Sequence, residues 1–89
     1  MRNLTMDLLN HIFDIQKKVN AIVPEGYEMV DSGMFIPEGS EDELWRDNCL
    51  EKDGKDFAYS FSTSGKLKGD VPPEMSLELS VLLEENKVK

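Results

Sequence analysis

The sequence predicts an α+β fold: a long N-terminal helix packed on a small antiparallel sheet of about four strands in two hairpins, with a C-terminal helix. Three features carry this expectation. Apolar residues recur at helical spacing through 5–22, Asp53-Gly54 precedes an alternating aromatic run, and Pro72-Pro73 opens a leucine- and glutamate-rich end.

In the first helix Leu8, Ile12, Ile15, Val19 and Ile22 lie three or four residues apart and form one stripe. Asn3 or Thr5 caps the start, and Asp7 falls in the first turn, where the helix dipole favours a carboxylate. Pro24 ends the helix, because its ring blocks a further turn. Met6, Leu9 and Phe13 widen the apolar face. Either the sheet and the last helix cover so broad a face, or a second chain covers part of it in a homo-oligomer.

Pro24-Glu25-Gly26 and Pro37-Glu38-Gly39 mark two turns. Between them, residues 27–30 and 34–36 flank Asp31-Ser32-Gly33, a loop suited to a bulged hairpin because glycine accepts left-handed backbone. Ser40 and Glu43 then form a capping box for a short helix near 40–47, with Leu44 and Trp45 turned to the core.

The second hairpin turns at Asp53-Gly54, a favoured two-residue pair. Phe57, Tyr59 and Phe61 alternate with Ala58, Ser60 and Ser62, as in a half-buried strand. This register faces Leu50 with Phe57, but also Lys52 with Lys55 and Glu51 with Asp56, a repulsion that a longer loop would avoid. From Ser64-Gly65 to Asp70 the chain reads as a polar loop. Its end carries two periods at once. Met75, Leu79, Leu82 and Leu83 share a helical face, whereas residues 76–81 alternate as a strand does, and the leucine–glutamate content favours the helix.

Eighty-nine residues predict one domain, residues 1–89, burying about 60–70% of its unfolded surface, which leaves little room for a substrate pocket beside a core. No apolar run is long enough for a bilayer, the N-terminus lacks the pattern of a signal peptide, and Cys49 has no cysteine to pair with, so cytoplasmic residence is expected.

The net charge is −8 and it is uneven. Residues 25–47 hold Glu25, Glu28, Asp31, Glu38, Glu41, Asp42, Glu43 and Asp47 against Arg46 alone, a balance of −7. Direct nucleic-acid binding is thereby disfavoured, since phosphates need clustered Lys and Arg. A basic protein surface is the matching partner. The capping box accounts for the acids of the first helical turn, but not for Glu25, Glu28, Asp31 and Glu38, whose mutual repulsion lacks a local reward. The expected binding residues are these eight acids with Trp45, and Tyr27, Met34 and Phe35 are the further apolar anchors. The expectation is a non-enzymatic inhibitor or binding protein on a nucleic-acid-handling enzyme. Immunity proteins and viral inhibitors that mimic nucleic-acid charge offer the compositional analogy.

Other chemistry finds little footing. His11 and Cys49 are single, and nothing in the sequence brings them together for nucleophilic catalysis or zinc binding. Aligning Gly54 with the glycine of a calcium loop puts Cys49 and Ser60 at the terminal ligand positions, so that pattern fails. Thr63-Ser64-Gly65-Lys66 lacks the glycine and the hydroxyl of a phosphate loop, with Ser60 and Leu67 in those places. Ser62, Thr63, Ser64, Gly65, Lys66 and Lys68 still form a hydroxyl-rich, locally cationic stretch. It is the basis of an alternative, a homo-oligomeric protein that binds and sequesters a small anion such as a nucleotide. No cofactor or metal is expected.

Overall fold

The computed structural model describes residues 6–36 and 43–88. Helix α1 spans Met6–Ile22 and buries Leu8, Ile12, Ile15 and Val19 of the predicted stripe, with Ile22 partly buried. Strands β1 (Glu28–Phe35), β2 (Trp45–Lys52), β3 (Lys55–Ser62) and β4 (Leu67–Gly69) follow, then a 3-10 turn at Pro73–Met75 and helix α2 (Ser76–Asn86). Among the described residues the sheet is a four-stranded meander in the order β1-β2-β3-β4, antiparallel throughout. Both helices lie against one face of it. Ile12, Ile15 and Val19 of α1 and Met75, Leu79 and Leu83 of α2 meet Leu50, Tyr59 and Phe61 in a single core.

The β2–β3 register follows from the turn. Asp53 (φ 52°) and Gly54 (φ 79°) both adopt the left-handed region that a tight two-residue hairpin requires. Pairing then runs without a shift from Lys52 opposite Lys55 to Trp45 opposite Ser62. Like charges do face each other near the turn, at a cost of about 0.2–1 kcal/mol per pair. Fully burying one residue such as Leu50 contributes about 1.5–3 kcal/mol, and a one-residue slip would put Leu50 on the opposite face from Tyr59 and Phe61. Packing therefore outweighs repulsion.

Four local expectations are corrected. Residues 27–36 form no hairpin of their own. Asp31, Ser32 and Gly33 are paired with Cys49, Asn48 and Asp47 inside one long β1, whose irregularity is a bulge at Val30. Gly33 does not take the positive φ that the turn needed. Nor is there a helix through 43–47. Leu44 is extended and bonded both ways to Thr63, its N–H donating to Oγ1 at 3.1 Å and its carbonyl accepting the Thr63 N–H at 3.0 Å, and Trp45 begins β2. Pairing with a full-length β3 overrides the local capping signal, whose Ser40, Glu41 and Asp42 lie outside the described residues. The stretch 64–70 is not all loop, since β4 returns along β3. At Gly69 (φ +103°) an added Cβ would stand 2.6 Å from the Ala58 carbonyl oxygen, so this return requires glycine. Finally, Met6 and Phe13 are exposed. The Arg46 guanidinium lies 5.6 Å from the Phe13 ring centroid while its Nε donates to Gln16.

Candidate interaction face

Strand alternation gives the sheet a second face that no described helix covers. Cross-strand register arranges it in rows. The first is Glu28–Glu51–Asp56, the second Asp31–Cys49–Ala58, the third Gly33–Asp47–Ser60–Lys68 and the last Phe35–Trp45–Ser62. The face thus runs from a carboxylate row at one end to a stacked aromatic pair at the other, where the Phe35 and Trp45 centroids are 6.0 Å apart. Small residues in the middle rows leave an open depression of about 490 Å³, lined by Asp31, Gly33, Asp47, Cys49, Ala58, Ser60 and Lys68 among others.

Neighbours in the first row stand about 5 Å apart at Cβ, close enough for direct repulsion. Among the described residues, none of Glu28, Asp31, Asp47, Glu51 and Asp56 belongs to an ion pair. Asp47 accepts the Ser60 hydroxyl, and Asp31 accepts the Ser32 amide. Lys68 places its ammonium 4.7 Å from the Trp45 ring centroid. Burial pushes the Cys49 thiol above its ordinary pKa, and the carboxylates of Asp56, Asp31 and Glu51 raise it further. Cys49 therefore stays a thiol at neutral pH rather than a nucleophilic thiolate. His11 lies across the sheet from it, on α1, where its Nε2 is hydrogen-bonded to the Asn86 carbonyl. Among the described residues no group of three or more His, Cys, Asp or Glu is arranged to hold a metal ion.

The predicted acids part company here. Glu28, Asp31 and Asp47 come together on the open face, Glu25 is exposed in the turn before β1, and Glu38, Glu41 and Asp42 lie outside the described residues. Glu43 goes elsewhere. It is only 7% exposed, and its carboxylate accepts from Trp45 Nε1 at 3.0 Å, from the Ser64 hydroxyl and from Lys66 Nζ at 3.4 Å. Burial by itself raises this carboxyl, but the bonds from Ser64 and Trp45 and the charge of Lys66 outweigh it and hold the group below its ordinary pKa. Trp45 is 6% exposed, so it braces the end of the face rather than projecting from it. Of the other expected anchors, Met34 and Tyr27 pack toward the covered face and only Phe35 lies on the open one.

The predicted anion stretch holds that same carboxylate. Ser62 Oγ accepts the amides of Ser64 and Lys66, the Gly65 amide donates to the Ser62 carbonyl, and Thr63 is tied to Leu44. The Ser64 hydroxyl and the Lys66 ammonium both face Glu43, so an external anion at this loop would meet its carboxylate. Lys68 points to the open face, away from this loop.

Glu51 and Asp56 are functional candidates that charge counting by segment missed. Their signal was the hairpin register, which sets them side by side. No protein-family model, curated protein or solved structure matches the chain. Among the described residues no helix is long and apolar enough to cross a membrane.

Proposed function

We propose that this chain is a cytoplasmic, non-enzymatic binding protein that docks the open face of its sheet on a basic surface of another protein, in the manner of an inhibitor of a nucleic-acid-handling enzyme. The observation that supports this reading is the row Glu28–Glu51–Asp56, three carboxylates side by side with no described ion pair. Each like-charged neighbour costs the free protein a few tenths of a kcal/mol to about 1 kcal/mol. A cationic partner removes that cost on binding and is steered to the face by it. The small residues of the middle rows leave room for arginine or lysine side chains beside Asp31 and Asp47.

The test separates binding from folding. Protein captured from lysate is identified, and its affinity for the chain is measured against salt, with and without the substitutions Glu28→Gln, Glu51→Gln and Asp56→Asn. The expected result is a basic nucleic-acid enzyme whose binding weakens with salt. The triple variant should bind at least about tenfold more weakly while melting no lower than the wild type. A triple variant that binds unchanged removes the reading.

A further inference from the structure

The outer surface of the helix layer carries the opposite kind of chemistry. Helix α2 buries Leu79 and Leu83 against the sheet, yet it also presents Leu77, 78% exposed, and Val81, 48% exposed, one turn apart on its outer side. This second apolar side is why residues 76–81 also read as a strand: leucines and valine at alternate positions serve two sides of a helix. A helix apolar all round is ordinarily buried on more than one side.

Beside it, α1 contributes Ala21 and Ile22, and together the two helices form an open apolar groove of about 740 Å³. Its walls carry charges of opposite sign. Lys18 stands on the α1 side, and Glu78 and Glu85 stand on the α2 side. Lys18 already bonds Asp14 (3.1 Å) and Asn86 (2.7 Å), but it remains about half exposed and an ammonium has three donors.

We infer that this groove is the docking site for a second copy of the chain, forming a two-fold symmetric dimer. A two-fold axis along the groove lays the α1 wall of one copy on the α2 wall of the other, so Lys18 of each copy meets Glu85 of the other while Leu77 and Val81 are buried against the other copy's Ala21 and Ile22. The groove is complementary to itself. The acids on the open sheet face point away from this contact, so they do not oppose it at short range. Each dimer then displays two acidic sheet faces in opposite directions. The inference does not depend on the function proposed for those faces.

Sedimentation equilibrium of the full chain from micromolar to millimolar concentration is the test. The expected result is a monomer–dimer equilibrium. Leu77→Glu should raise the dissociation constant by roughly tenfold or more, because it places a charge in the apolar contact, with no fall in the melting temperature of the dilute monomer. Lys18→Glu should weaken the dimer, and Lys18→Glu with Glu85→Lys should restore it. A wild type that stays monomeric throughout overturns the inference, and so does a dimer indifferent to Leu77→Glu or a charge reversal that the second substitution fails to rescue. Dimer loss is read without any partner protein, so failure here and failure of the proposed function are seen separately.

Discussion

Glu43 and Glu51 are separated by eight positions on adjoining stretches of chain, and they have opposite fates. Glu43 is buried among donors that suit a carboxylate, and it ties the start of β2 to the loop between β3 and β4. Glu51 lies in the open between two further carboxylates. One acid contributes to stability and the other detracts from it, although composition counts them alike. The difference teaches that an acidic stretch is informative only once its hydrogen-bond donors are known. Acids that have donors are structural. Those that repel one another without compensation among the described residues are candidates for binding.

This contrast can be broken at several points. The largest effect belongs to the covered face of the sheet, which both acids depend on for their positions: Phe61→Ala should cost about 3–5 kcal/mol in chemical denaturation, through lost burial and the cavity left behind. Glu43→Ala comes next, at about 1–3 kcal/mol, because it strands the buried Trp45 indole N–H and leaves the Ser64 hydroxyl only Ser62 Oγ. The same carboxylate predicts a pH dependence. Its folded pKa lies below the ordinary 4.5, so its contribution is complete above that value and is lost as the pH falls through 4.5 toward the folded pKa. Glu43→Gln should therefore flatten the acid side of the stability–pH curve below about pH 4.5. Glu51→Gln should act in the other direction, raising stability by about 0.2–1 kcal/mol in the same denaturation assay. Smallest of all is a salt effect. Raising ionic strength to about 1 M, where the Debye length is about 3 Å, should lift the melting temperature of the wild type slightly more than that of Glu51→Gln.

Legibility in the sequence followed the range of the interactions. The Asp53-Gly54 turn specifies its own geometry, and every β2–β3 pair could be counted outward from it. The α1 stripe was equally plain, because one periodic face decides it. Misreadings arose where a local signal competed with a distant partner. Asp31-Ser32-Gly33 has the composition of a turn, but β2 supplies a strand for it to pair with. The acids from Glu41 to Glu43 resemble a helix start, but Thr63, about twenty residues away, holds Leu44 extended. The candidate site was half visible for the same reason. Glu28, Asp31 and Asp47 stood out by charge density along the chain, whereas Glu51 and Asp56 belong to a segment of balanced charge and join them only across strands. The link between Glu43 and Ser64 is invisible to any reading by segment.

The strand order has a further consequence, for the path by which the chain folds. Each strand pairs only with its neighbour in sequence, so the sheet is assembled from short loop closures that cost little entropy. The joining of α1 to α2 is different. The bonds from His11 and Lys18 to Asn86 connect the two ends of the chain, and their closure spans nearly all of it. The meander should therefore nucleate at the Asp53-Gly54 hairpin, with the two helices docking last. Substitutions in the hairpin should slow folding, while those at the α1–α2 contact should mainly speed unfolding. The seam between the chain's two ends is then the first part of the molecule to open.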